Sequence, residues 1–276
     1  MHTALRRTGI VSLVLVAALA ALYAVLLTAL YFGQERLLFP GTPLPADYRF
    51  RIDQPYAEVA IPVAGATLHA LHVLQPDPRG LVFYLKGNGG NVATWTTSVD
   101  FWRRVNYDLF ILDYRGYGKS SGRIESEAQL HADVRAAYDT IAPRYRGKPV
   151  VIVGRSLGSG LAVALARDVA PPLLVLVSPY TSVTDAALRE YPIAPHFLVR
   201  YPLRSDEVIA GVTSPLLLLH GTRDTLIPPA DSERLRALAR APAQLVLVDG
   251  AGHNDIQRFP EYLDALAWRL ARVEMR

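Results

Sequence analysis

The sequence predicts an α/β fold on a mostly parallel, doubly wound sheet, preceded by a helix of membrane-spanning length. Three observations carry that expectation. Short, continuously apolar runs alternate with helical stretches from residue 59 to the C-terminus, as strands covered on both faces and joined by crossover helices require. One of these runs, at 150–153, passes through Gly154-Arg155-Ser156-Leu157-Gly158 into an alanine-rich stretch, which reads as strand, tight turn and helix. Residues 10–32 are apolar except for Ser12 and Thr28.

The 10–32 run is long enough to cross the hydrocarbon of a bilayer as a helix. Arg6 and Arg7 precede it, whereas Glu35 and Arg36 follow and nearly cancel. The positive-inside tendency then puts the N-terminus in the cytoplasm and the remainder outside, as a single-pass protein. Ala18-Leu19-Ala20 matches a small-x-small cleavage pattern, but the apolar run continues through Val25 to Leu30, longer than a signal peptide needs. An uncleaved anchor over 1–33 is therefore expected. Residues 34–55 follow as a linker, with prolines at 40, 43 and 45 that prevent both helix and central strand.

Within the 56–276 domain, 59–63 and 67–74 read as an antiparallel opening pair around Gly65. Strands are expected at 81–85, 109–113, 150–153, 173–177, 216–220 and 245–248, buried on both faces. Helices are expected at 98–104, 125–138, 158–168, 230–239 and 260–273. The 178–214 segment is an insertion between strands, placed to cover Ser156 as a small cap. Its tyrosines, prolines, leucines and Phe197 suit either an acyl-chain pocket or packing of the cap on the domain.

Composition narrows the function classes. With no cysteine the chain has no disulfide, cysteine nucleophile or thiolate metal site. A net charge of +4 suits an anionic lipid surface or simply an arginine-rich composition. There is no basic block and no aromatic-interleaved basic patch, which argues against nucleic acid as a partner.

The Gly154-x-Ser156-x-Gly158 turn has the pattern of a nucleophile elbow. A serine hydroxyl needs a base, and the base an orienting acid. His253 follows the last strand in Asp249-Gly-Ala-Gly-His253-Asn-Asp255, where glycines let the loop carry the imidazole over the sheet edge. His69, His72, His131, His196 and His220 lie in weaker positions. Asp224, in His220-Gly-Thr-Arg-Asp224, leaves the strand before the final βα unit and is the preferred acid. Asp113 begins a glycine-rich turn that more readily fixes backbone geometry, and Asp255 is too near His253 to reach round. The Leu157 amide opens a helix and suits an oxyanion. A second donor is expected from Lys86-Gly-Asn-Gly-Gly-Asn91, with the Asn88 amide preferred and Gly87 next.

Taken in order, Lys86-Gly-Asn-Gly-Gly-Asn91, Asp113-Tyr-Arg-Gly-Tyr-Gly-Lys-Ser120, the Ser156 elbow, Ser178-Pro-Tyr-Thr-Ser182, His220-Gly-x-x-Asp224 and Gly252-His253 make the chain resemble the α/β-hydrolase superfamily. Within it the chain is similar to membrane-anchored serine hydrolases of lysophospholipase-like, depalmitoylase-like and serine-peptidase-like type. The resemblance covers nearly everything from residue 34 and implies the α/β-hydrolase fold, with Ser156, Asp224 and His253 as triad. It departs at Lys86, where the family usually has a loop-shaping histidine, so the details of the oxyanion loop differ here.

The expected function is cleavage of carboxylic esters or thioesters, most naturally of lipid-derived acyl groups, through an acyl-enzyme and with no metal or organic cofactor. A peptidase or acyltransferase using the same triad, or a catalytically silent membrane-anchored scaffold, remain the alternatives. The anchor reading predicts full-length product in the membrane fraction. A soluble product about twenty residues shorter on a denaturing gel would replace it with a cleaved signal.

Overall fold

The computed structural model describes residues 2–96 and 99–274, with side chains in the first helix from residue 9 onward. Arg6 and Arg7, which set the expected membrane orientation, have side chains outside the described residues, and so does Ser98 at the start of an expected helix.

The chain begins with helix α1, His2–Leu38, whose Gly9–Leu38 portion is long and apolar enough to cross a membrane. It continues six residues beyond Phe32 and stops before Pro40, the ring of which would clash with a helical backbone. Residues 39–45 contain no helix or central strand, but they do not hang free. Gly41 and Pro43 form isolated bridges with Gly90 and Gly118, and Phe39 is buried in the core.

The sheet has eight strands: β1 (Tyr56–Val63), β2 (Ala66–Val73), β3 (Leu81–Leu85), β4 (Asp108–Asp113), β5 (Val150–Arg155), β6 (Leu174–Val177), β7 (Leu216–Gly221) and β8 (Ala243–Val248). Their order is β1-β2-β4-β3-β5-β6-β7-β8, with β2 antiparallel to β1 and β4 and every other pairing parallel. The opening pair turns at Gly65, whose φ of +73° suits a residue without a side chain. Strands β3 to β7 are buried along their whole length, and successive residues feed two separate cores. Leu81, Phe83 and Leu85 of β3 point into one core, Val82 and Tyr84 into the other.

Helices α4 (Glu127–Ile141), α5 (Leu157–Val169) and α8 (Pro229–Leu238) cover the first face. The four-residue α2 (Val92–Trp95), α3 (Val99–Val105) and α9 (Pro260–Leu270) cover the second. Two short helices, α6 (Val183–Glu190) and α7 (Ser205–Val208), lie in the 178–214 insertion.

The expected two-sided burial fails at β8. It is an edge strand paired only to β7, and Leu247 is 42% exposed. An apolar run there reflects β-propensity and not a second covering layer.

A buried ion pair ties the sheet to its helices. Arg115, just after β4, donates through Nη2 to Asp133 Oδ1 of α4 at 2.9 Å and to the Ala64 carbonyl at 2.8 Å. Asp133→Ala would leave the guanidinium buried without its counter-charge. It is expected to lower unfolding stability by about 3 kcal/mol in a urea titration.

Candidate active site

The turn between β5 and α5 is held by close packing. A Cβ on Gly158 would lie 2.1 Å from the Leu85 carbonyl oxygen, and one on Gly154 would lie 2.5 Å from Ala162 Cβ. With both positions reduced to backbone, α5 approaches the end of β3 closely. Ser156 between them takes φ 51° and ψ −122°, a conformation that side chains other than glycine rarely adopt and that surrounding packing must enforce. Its amide is spent on the Val177 carbonyl at 2.9 Å. Leu157 is the first residue of α5, so its N–H is among those a helix leaves without an internal acceptor.

The loops after β7 and β8 bring two more groups to this turn. His253 Nε2 accepts from the Ser156 hydroxyl at 2.9 Å, and His253 Nδ1–H donates to Asp224 Oδ2 at 2.7 Å. Asp224 is itself held, because Oδ1 accepts the Leu226 and Ile227 amides at 3.0 and 2.9 Å. Burial works against ionisation of Asp224. The hydrogen bonds from His220, His253 and the Ile227 amide outweigh it and keep the carboxyl well below the usual carboxylate range. The structure thus brings together the three residues expected from sequence. Asp255 instead accepts the Gly252 amide at 2.7 Å and shapes the turn that carries His253.

Two residues in this arrangement were given no role from the sequence. Buried His220 accepts from Ser232 Oγ at Nδ1 (2.6 Å), and its Nε2 faces both the Ile227 carbonyl at 2.8 Å and Asp224 Oδ2 at 3.3 Å. Its Nε2 therefore carries the proton and supports Asp224 from behind. The second is Arg155, whose Nη2 donates to the His253 carbonyl at 3.0 Å while its guanidinium lies 5.2 Å from the Trp95 ring centre. The signal was present in both cases: one precedes Asp224 by four residues, the other adjoins Ser156. His69, His72 and His131 pair with Glu58, Tyr145 and Glu127, away from this site.

The 86–90 loop is pinned by aromatic donors. Tyr114 Oη donates to the Lys86 carbonyl (2.8 Å), Tyr117 Oη to that of Asn88 (2.7 Å) and Trp95 Nε1 to that of Gly89 (2.9 Å). Gly87 sits against Trp95, where a Cβ would come 2.9 Å from the indole and 3.5 Å from Ser156 Cβ. Asn88 shares a cavity wall with Ser156 and Leu157.

Lys86 is fully buried. Its Nζ lies 3.5 Å from Asp113 Oδ1 and 3.8 Å from the centre of the Tyr117 ring. Asp113 takes the Val92 amide on both oxygens, at 3.0 and 3.2 Å, so it organises the loop as expected and lies outside the Ser156–His253–Asp224 chain. The lysine thus supplies a counter-charge to Asp113 beneath the 86–90 loop. Burial lowers its pKa to about 8, against the pull of Asp113.

Ser156 opens into a cavity of about 780 Å³. Tyr180, Val183, Ala187, Tyr191 and Leu198 of the cap line it, opposite Leu226 and Ile227. Residues of the 178–214 insertion therefore share this cavity with Ser156, and the insertion's apolar residues divide between two roles. Tyr201 packs edge-to-face on Phe39 in the core, whereas Ile193 and Phe197 face outward. The far wall of the cavity comes from α1, through Leu30, Tyr31, Gln34, Leu37 and Leu38, a contribution not anticipated from sequence.

With this geometry established, comparison with known proteins is consistent. Residues 76–205 match the family described as serine aminopeptidase, S33. The chain is 38% identical over 188 residues to an uncharacterized protein of Mycobacterium tuberculosis, covering 66% of this chain and 64% of that one. It is 31% identical over 194 residues to human alpha/beta hydrolase domain-containing protein 17B, covering 69% of this chain and 66% of the relative. The chain thus spans just under two thirds of the length of these relatives. Among solved structures, a Pyrococcus furiosus esterase superposes with a TM-score of 0.69 at 20% identity, over 84% of this chain and 99% of that one. A Paleococcus ferrophilus monoacylglycerol lipase superposes at 0.57 and 19% identity, over 75% and 99%. At those identities the likeness is one of fold. The chain belongs to the α/β-hydrolase superfamily, and the family model it matches is one of hydrolases.

The buried lysine has a pH signature. Between about pH 8 and 10.5 the unfolded chain holds a proton on Lys86 that the folded chain has released. Burying the charge therefore costs stability below pH 8, and the cost is relieved as pH rises through that window. Relative to Lys86→Met, the wild type is expected to gain on the order of 3 kcal/mol from pH 8 to 10.5 in urea midpoints. Parallel pH curves for the two proteins would show that Lys86 has an ordinary pKa.

Proposed function

We propose that this protein is a membrane-anchored serine esterase acting on lipid-derived esters or thioesters. The supporting observation is the continuous hydrogen-bonded chain from Ser156 through His253 to Asp224, at 2.9 and 2.7 Å, at the base of a large apolar cavity.

In this reading Ser156 Oγ attacks the substrate carbonyl carbon while His253 Nε2 takes the hydroxyl proton. Asp224 holds the Nδ1–H in place and stabilises the imidazolium, for which its strongly favoured ionised form suits it. The negative oxygen of the tetrahedral intermediate accepts from the Leu157 amide and from Asn88, with Gly87 the next donor. Collapse expels the alcohol or thiol, which receives the proton from His253, and leaves the acyl group on Ser156. Water, deprotonated by His253, then releases the acid and restores the hydroxyl. These steps ask nothing of a metal or organic cofactor.

The lipid assignment is supported by the apolar cavity wall and by α1, which would hold the site at a membrane surface. Two arginines before the span favour a cytoplasmic N-terminus and a catalytic domain on the extracytoplasmic side.

A fluorophosphonate probe is expected to label the wild type and not Ser156→Ala, and peptide mapping should place the adduct on Ser156. Asp224→Asn should fold and lose about 10⁴-fold in kcat on a short-chain ester. A folded wild-type protein that takes no label would overturn the esterase reading.

A further inference from the structure

α1 does more than tether. Its last turns belong to the domain: Gln34 Nε2 donates to the Leu198 carbonyl and Gln34 Oε1 accepts the Arg200 amide, both at 2.8 Å. Glu35 pairs with Arg200 and accepts from Tyr201 Oη. Further back along the helix, Tyr23 Oη donates to the carbonyl of Ile193, in the cap, at 2.7 Å.

The height of that last bond matters. Gly9–Leu38 measures about 45 Å at 1.5 Å per residue, against about 30 Å of hydrocarbon. With Arg6 and Arg7 at one boundary, about 30 Å of hydrocarbon ends near residue 27. Tyr23 then lies about 6 Å below that level, and its hydroxyl holds a cap segment beside it.

That segment has the composition for such a place. From 191 to 199 the sequence is Tyr-Pro-Ile-Ala-Pro-His-Phe-Leu-Val, with His196 the one ionisable residue apart from Tyr191. Its inner side, through Ala194, Pro195 and Leu198, lines the cavity. On its outer side Ile193 is 62% exposed and Phe197 74% exposed, and neither lines the cavity. Two large apolar side chains next to a membrane-length helix gain free energy in lipid and lose it in water.

We propose that the 191–199 segment is a second membrane contact, inserted through Ile193 and Phe197 into the leaflet nearest the domain, so that the cavity receives acyl chains directly from the bilayer. This rests on the reading of α1 as a membrane span. The Tyr23–Ile193 hydrogen bond makes the segment continuous with that span, and the occupant is the bilayer itself.

The absence of native cysteine gives a clean test. Phe197→Cys and Glu233→Cys, the latter exposed on α8, each carry one environment-sensitive fluorophore in full-length protein reconstituted into phosphatidylcholine vesicles. The label at 197 should be blue-shifted and strongly quenched by bromine-labelled lipid, and the label at 233 should not. In parallel, the Ile193→Asp/Phe197→Asp double variant should lose about tenfold in hydrolysis of a long-chain ester held in vesicles. Its rate on a water-soluble short-chain ester should be unchanged. A protein that stays with the vesicles through an alkaline carbonate wash while position 197 escapes quenching overturns the insertion and leaves the anchor standing. A protein released by the wash overturns the anchor, and the insertion with it.

Discussion

The close approach of the first turn of α5 to the end of β3 is the constraint on which the site depends. Gly158 packs against the Leu85 and Lys86 carbonyls with no room for a side chain. That contact accompanies the positive-φ backbone of Ser156 and holds the helix N-terminus beside the 86–90 loop. Serine, Leu157 amide and Asn88 are thus brought to one place by backbone packing. The two returning loops then need only deliver His253 and Asp224, and each is braced from behind, by Arg155 and by His220. The local strain is offset by packing across the sheet, so Ser156 is positioned by the fold at large more than by its immediate neighbours.

Much of this was legible in the chain. The strands between β3 and β7 were readable because burial on both faces demands an unbroken apolar run, and Val150–Arg155 has one. His253 and Asp224 were readable because each sits in a loop that directly follows an apolar run. The strand β8 was placed, but its burial was misread because an edge strand of leucine and valine looks the same as a central one until its neighbours are known. Helix α6 escaped prediction although its start was marked, for Ser182 caps the Asp185 amide at 2.8 Å. Its short length gave the periodicity too few turns to register.

The role of α1 in the cavity was hidden for a different reason. A helix apolar on every side offers no stripe to mark which face meets protein, so Leu30, Tyr31 and Leu37 read as more of the span. Gln34 and Glu35, the polar residues that lock its end to the cap, looked like the ordinary polar edge of a membrane segment. The lysine at position 86 was visible as a departure from the family pattern. Only the structure shows it beneath the loop against Asp113, between two tyrosine rings.

The unbroken run of α1 from span to cavity wall has a geometric consequence. A flexible tether would let an enzyme sweep a hemisphere and sample whatever floats within reach. Here the helix is hydrogen-bonded to the cap at both ends of the cap-facing stretch, which ties the direction of α1 to that of the domain. A protein mounted in this way works at one fixed elevation and one fixed bearing. On the proposed reading of α1 as a span, substrates reach such a site by diffusing in the plane of the membrane, in a two-dimensional encounter.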